Sequence, residues 1–252
     1  MKYKIIITDL DRTLLRTDKS LSRRTLSALG KCKEAGLLLV AATARPYRSI
    51  AEYDSLIGFD AAVCLNGAHI SYKDKVIQHT IDKREGELFL SSLCSVCAPV
   101  ISVECGGILF ANTVFEEWES VFWDKFPDLP EGPIHKILIT YSEKEESLVK
   151  RFIPESMYYT VANGQLLQIM SKDAAKMKGI STLLETVGIS VSDSVYFGDD
   201  NDDIEPILQC GLGIAVANGI DRVKACADIV TESNDYDGVA IILEKLLLGD
   251  IK

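Results

Sequence analysis

Two carboxylates two residues apart, Asp9 and Asp11, close the first apolar run of the chain, KIIITDLD. Like charges 4 Å apart cost each other about 1 kcal/mol in water and about 4 kcal/mol at an effective dielectric of 20, so a cation or a chemical task must hold such a pair. A solvated acidic turn is the plain alternative for this pair taken alone. A second cluster speaks against it. Gly198-Asp199-Asp200-Asn201-Asp202-Asp203 ends another apolar run, and its acids offer the oxygen ligands that suit magnesium. An acid-rich helix start is the competing reading there, because acids are favoured at helix N-termini. Thr43-Ala44-Arg45 ends a third run with a hydroxyl and a cation, and Lys176 opens a late helix. A metal ion and a lysine can neutralise a phosphate while one carboxylate attacks it and a second moves the proton. That combination suits phosphoryl transfer.

The elements that must position these groups alternate. KIIITD, LLLVAAT and AAVCLN read as buried strands, separated by the helices LSRRTLSALGKCKEA, which stops at Gly36, and PYRSIAEYDSLI, which Pro46 opens. Such alternation predicts parallel βαβ units, an α/β doubly wound sheet with helices on both faces. Ligands then bind beyond the carboxyl ends of the strands, where the acids lie. The pattern resumes after residue 173 with a helix over AAKMKGISTLLETVG, the strand SVYFGDD with a turn, the helix DIEPILQC and the strand LGIAVAN, after which VKACA and DIV lead to a closing helix. The middle differs. VISVEC, ILFANT, HKILITY, YYTV and LLQIM read as strands, with helices over EGELFLSSLCSV, FEEWESVFWDKF and EKEESLVKRF. Residues 83–171 are therefore expected to form an inserted α+β domain, with 1–82 and 172–252 as the core domain.

Bulk properties exclude several classes. A chain of 252 residues with 47% hydrophobic and 25% charged residues can bury a core without disulfides. Its net charge of -10 and lack of a basic cluster argue against nucleic acid or an anionic membrane as partner. No run approaches a membrane span. Seven cysteines, an odd number partly in apolar runs, fit reduced thiols in a cytoplasmic protein. Cys94 and Cys97 form a lone C-x-x-C pair on what reads as a helix face, so zinc or redox work there is disfavoured. His69, His79 and His135 are scattered.

DLDRTLL, TAR, Lys176 and GDDNDD, in that order, resemble the haloacid dehalogenase-like superfamily, and more closely its Cof-type (subclass IIB cap) phosphatases. LNGA at 65–68, AVANG at 215–219 and the ending SNDYDGVA extend the resemblance over nearly the whole chain. It implies a phosphoric monoester hydrolase that uses Mg2+ and an aspartyl-phosphate intermediate on a small phosphorylated metabolite. By resemblance, Asp9 is the nucleophile and Asp11 the general acid/base. The Asp9 carboxylate, the Asp11 carbonyl and Asp199 hold the metal, with Asp203 a ligand through water or a partner behind the ligands. Thr43, Lys176 and the N–H groups of Leu10 and Ala44 hold the phosphate, while Arg45 and Asn66 face the substrate. Three positions depart from the pattern. Arg12 stands for a usual Gly and can narrow or charge the entrance. Ala44 also replaces Gly. Asp202 replaces an Asn that faces the phosphate, and it is expected either to turn away or to join the metal, the first being favoured.

Only 34 residues separate Asp9 from Thr43, too few for a cap, so the insert between Thr43 and Lys176 is the cap. In the resembled family such a cap closes over the sheet edge and admits small soluble substrates. A phosphomutase of the same superfamily, or a non-catalytic phosphometabolite sensor, are the alternatives; intact Asp9 and Asp11 speak against the sensor. The identity of the metabolite lies in cap side chains that the sequence does not place.

Overall fold

Three isoleucines and a threonine make β1 (Ile5–Thr8), fully buried, as β-branched residues are where both faces of a strand are covered. The computed structural model describes residues 2–115, 119–162 and 164–251. They divide into two compact units, one formed by Met1–Ile77 with Ala175–Lys252, the other by Gln78–Ala174.

In the first unit β1 leads to α1 (Arg23–Glu34), β2 (Leu38–Ala42), α2 (Ala51–Ile57) and β3 (Ala61–Cys64). The Ser22 side chain caps α1 by accepting the Thr25 N–H at 3.0 Å. Two further strands, β4 (His69–Tyr72) and β5 (Lys75–Gln78), follow β3. The sequence reading has no element here. Lys75, Val76 and Gln78 are exposed, so this edge hairpin lacks the apolar run that marks its buried neighbours.

The second unit contains α3 (Lys83–Cys94), β6 (Ile101–Cys105), β7 (Ile108–Ala111), β8 (Ser120–Phe122), β9 (Ile134–Thr140), α4 (Glu143–Phe152), β10 (Met157–Ala162) and β11 (Leu166–Ser171). Its sheet runs β10-β11-β9-β6-β7-β8. Phe89, Leu90 and Leu93 of α3 and Val149 of α4 pack with the apolar side chains of that sheet. Gly106 and Gly107 join β6 to β7, both at positive φ (57° and 84°), as a two-residue hairpin requires. The helix expected over FEEWESVFWDKF is not formed where the structure describes it. Ser120–Phe122 is instead a strand parallel to β7, and the Trp123 ring meets Phe110 edge-on at 5.6 Å. Val121, Phe122 and Trp123 are β-favouring residues, and pairing with β7 decides between the two states. Residues 116–118 of that expected helix lie outside the described residues.

The first unit resumes with α5 (Lys176–Val187), β12 (Ser194–Gly198), α6 (Ile204–Gln209), β13 (Leu212–Val216), α7 (Asp221–Cys226), β14 (Ile229–Thr231) and α8 (Gly238–Leu248). Its sheet has the order β14-β13-β12-β1-β2-β3-β4-β5, parallel from β14 to β3 and antiparallel at β3–β4. Side chains alternate between two cores. Ile6, Val195 and Phe197 pack with α1 and α8, while Ile5, Ile7 and Tyr196 pack with α5, Ile207 and Val223. Register fixes the site. Thr8 pairs with both Phe197 and Ala41, so Asp9, Asp199 and Thr43 emerge together at the carboxyl ends of three neighbouring strands. No helix among the described residues is long and apolar enough to cross a membrane.

Candidate active site

Asp9 stands where β1 ends, and the chain then makes a wide kinked turn that Leu15 N–H closes on the Leu10 carbonyl at 2.8 Å. Inside the turn Arg12 adopts a left-handed conformation, φ 60°, which costs a non-glycine residue on the order of 1 kcal/mol. The turn returns Thr13 to the site, where its hydroxyl donates to Asp199 Oδ1 at 2.6 Å. Across the sheet, Gly198 ends β12. A Cβ there would lie 2.4 Å from Asp203 Cβ and 2.5 Å from its Cγ, so only glycine lets the Asp203 carboxylate fold back against the strand end.

Asp203 is the anchor of the acidic cluster. Its Oδ2 accepts the N–H groups of Asp199 (2.8 Å) and Asp200 (3.0 Å); its Oδ1 accepts the Tyr196 hydroxyl (2.6 Å) and Lys176 Nζ (2.6 Å). With its acceptor capacity filled, it organises the site from behind. Lys176, whose side chain is 2% exposed, also reaches Asp9 Oδ1 at 3.1 Å and Asp202 Oδ2 at 3.3 Å. Asp202 thus turns to the lysine, and it is not among the described side chains that group as a metal-binding set. Burial alone would depress the Lys176 ammonium, but Asp202, Asp203 and Asp9 raise it well above the usual lysine value. Burial pushes the Asp9 carboxyl well above its usual range, against the opposing pull of Lys176. Burial likewise raises Asp199 to about 6, despite the Thr13 hydroxyl.

Asp11, 37% exposed at its side chain, points elsewhere. Arg45 Nε and Nη2 each donate to its carboxylate at 2.6 Å, and Lys19 Nζ adds a contact at 2.7 Å. Burial favours the protonated form, but these two cations outweigh it and hold Asp11 below the usual carboxylate range. Arg45, expected to face substrate, is therefore engaged with Asp11 because a guanidinium fork matches a carboxylate in two bonds. Thr43 is buried at the end of β2, its Oγ1 accepting Arg45 N–H at 3.2 Å and its carbonyl accepting Asn66 N–H at 3.0 Å. Leu10 is buried beneath the turn, and Ala44 lies between Thr43 and Arg45. Asn66, 5% exposed with φ 53°, has a buried Oδ1 without a hydrogen-bond partner among the described residues. Such a group calls for a ligand or water.

Carboxylate oxygens of Asp9, Asp199 and Asp203 lie within 4.8 Å of one another. An all-oxygen donor set carrying more negative charge than Lys176 can balance fits a small hard divalent cation. With Asp203 saturated, Asp9 and Asp199 are the carboxylates with oxygen left to offer. Among the described residues no cysteine or histidine joins such a group. Thr13, Tyr196 and Lys19 are site residues that the sequence reading missed. Thr13 had a signal, a hydroxyl two residues after Asp11. Tyr196 had a weaker one, a polar atom inside the apolar strand SVYFG.

A doubly wound sheet whose strand ends gather two aspartates, a threonine and a buried lysine defines a class of phosphoryl-transfer enzymes. The chain belongs to that class: it matches the haloacid dehalogenase-like hydrolase family over residues 6–243 and is a Cof-type phosphatase of that family. It is 24% identical, over 97% of both chains, to the 5-amino-6-(5-phospho-D-ribitylamino)uracil phosphatase of Bacillus subtilis. In fold it is similar to a haloacid dehalogenase-like hydrolase from Bacteroides thetaiotaomicron (TM-score 0.86, 22% identity, 97% of this chain and 99% of that one). It is also similar to a subclass IIB sugar phosphatase (TM-score 0.81, 22% identity, 98% and 100%).

Proposed function

We propose that the protein is a magnesium-dependent phosphatase that hydrolyses a small phosphorylated metabolite, a sugar phosphate or similar, through an aspartyl-phosphate intermediate. The observation that carries this reading is the convergence of Asp9, Asp199, Asp203 and Lys176 at one sheet edge, with one buried ammonium facing a surplus of carboxylates. Asp9 Oδ attacks phosphorus, and the bond to the leaving oxygen breaks as Asp11 donates its proton there. Water then attacks the aspartyl phosphate and gives a proton to Asp11, which releases phosphate and restores Asp9. Lys176 and the Thr43 hydroxyl neutralise and orient the phosphate oxygens, with the N–H groups of Leu10 and Ala44 beside them. Asp11 must leave Arg45 and Lys19 to take up a proton, since both hold it ionised. Magnesium, held by Asp9, the Asp11 carbonyl and Asp199 with Asp203 behind, would supply positive charge at the transferred group. The second unit is read as the cap that confers selectivity. The sugar phosphatase and the ribitylamino-uracil phosphatase among the relatives favour polyol-like phosphates. A panel of phosphorylated metabolites assayed with magnesium tests the reading, and no turnover of any of them, or full turnover after exhaustive metal removal, would sink it.

Magnesium affinity is expected to rise with pH through about 6. Asp199 titrates near 6 in the folded protein against 3.8 ordinarily, so the metal must displace its proton below that point. The sign follows from linkage. A raised carboxyl favours the folded state when protonated, so this contribution is complete below pH 3.8 and lost as pH passes 6. Magnesium recovers it, and the thermal shift produced by the ion should be larger at pH 7.5 than at pH 5. Equal shifts at both would refute the assignment.

Asp202→Asn is expected to keep magnesium affinity and to tighten phosphate or vanadate binding by about 1 kcal/mol, the scale of one partly screened charge. The Asp202 side chain is 34% exposed and sits on Lys176, so its removal frees part of that ammonium for the ligand. Titrating magnesium and vanadate against both proteins decides it; a large loss of magnesium affinity would make Asp202 a ligand instead.

A further inference from the structure

Most cations of known partner at this edge of the first unit are engaged with carboxylates. Lys176 serves Asp9, Asp202 and Asp203; Arg45 and Lys19 serve Asp11; Arg16 pairs with Asp237 at 2.9 Å. Arg12 differs. It is exposed, and it makes no ion pair within 4 Å among the described residues. Its backbone is left-handed (φ 60°, ψ 5°), a conformation glycine takes freely and arginine does not. The conformation is pinned: Asn218 Nδ2 donates to the Arg12 carbonyl at 2.7 Å, and Asn218 Oδ1 accepts Asn234 N–H at 2.9 Å. The fold thus holds an arginine where the backbone favours glycine, and residues held in this way cluster at active sites. The next residue, Thr13, donates its hydroxyl to Asp199 at 2.6 Å, so the turn that carries Arg12 is fastened to the acidic cluster.

What an unengaged guanidinium here can bind follows from its neighbours. The transferred phosphate already has Lys176 and the proposed metal. Arg12 is the exposed residue of the turn between Asp11, read as protonating the leaving oxygen, and Thr13, whose hydroxyl reaches Asp199, so a leaving group that lies against this turn meets a guanidinium. A planar fork of N–H donors matches a carboxylate or a phosphate in two bonds and gains little from a neutral hydroxyl.

We propose that Arg12 is a specificity residue that selects substrates whose leaving group carries a second anionic group, a carboxylate or a second phosphate. The inference rests on the phosphatase reading above. The test compares wild type, Arg12→Gly and Arg12→Lys on three alkyl phosphates of equal length ending in a hydroxyl, a carboxylate or a phosphate. Wild type should prefer the anionic ends, and in Arg12→Gly the ratio of kcat/KM for anionic over neutral substrates should fall about tenfold or more, mainly through KM. Arg12→Lys should retain part of the preference, and added salt should weaken it in wild type. The arm with the larger ratio tells carboxylate from phosphate. Glycine suits the left-handed backbone, so a fallen ratio does not reflect a folding defect. Turnover with an unchanged ratio, or an equal loss on all three substrates, overturns the inference alone. Failure of wild type to hydrolyse any monoester overturns the phosphatase reading and the inference with it.

Discussion

Asp9→Asn is expected to lower turnover by about 10³-fold or more while leaving the protein folded and no less stable. Phosphate-monoester hydrolysis is among the slowest uncatalysed reactions, with accelerations up to about 10²¹, so an enzyme deprived of its nucleophile has little to fall back on. An amide has nearly the shape of the carboxylate but neither its charge nor its nucleophilicity. Stability should hold or rise because burial opposes the charged form of Asp9, and the substitution removes one charge from a crowded set. The pairing of lost activity with an unchanged or higher melting temperature separates a chemical role from a structural one. Turnover of an aryl phosphate with magnesium, together with thermal denaturation, measures both. Wild-type turnover in a folded variant would remove the covalent mechanism.

The core strands and their helices were legible because each buried strand is a short apolar run with a polar residue at its carboxyl end. That rule alone put Asp9, Thr43 and Asp199 at one sheet edge. It failed where burial is one-sided. The strand His69–Tyr72 is only half-buried apart from Ile70, the edge strand Lys75–Gln78 is mostly exposed, and Ser120–Phe122 is a strand because β7 offers it a partner. Neither cause leaves a local mark. The same limit governs the site. Which residues converge could be read from strand ends, but which atoms pair could not. Arg45 chooses Asp11 across 34 residues, Tyr196 chooses Asp203 from inside a strand, and Gly198 matters through the side chain it lets approach. Side-chain reach decides such pairings, and a one-dimensional pattern does not carry it.

Lys176→Met is expected to destabilise the metal-free protein at pH 8 by about 3–5 kcal/mol, the cost of leaving buried charge uncompensated. At this chain length that is on the order of 10 °C in melting temperature. A lysine in the first turn of a helix works against the helix dipole, which favours anions there, so α5 itself gains nothing from it. What holds it is three carboxylates within 3.3 Å of one ammonium, with Asp203 as buried as the lysine and Asp9 nearly so. Methionine keeps the apolar stem and most of the volume, so the loss reports charge and hydrogen bonds rather than packing. Two conditions should shrink it. Magnesium adds positive charge beside Asp9 and Asp199 and takes over part of the compensation. Acid does the same by protonation: without the ammonium the Asp9 carboxyl rises further, so the variant recovers relative to wild type as pH falls from 8 to 5. Activity should stay low in every condition, because Lys176 also neutralises the transferred phosphate and magnesium cannot occupy its position. Chemical denaturation of both proteins at pH 5 and 8, with and without magnesium, gives the four differences. A variant as stable as wild type at pH 8 without metal would mean that the carboxylates are neutral there, and the reading of this cluster as a cation-demanding site would fall.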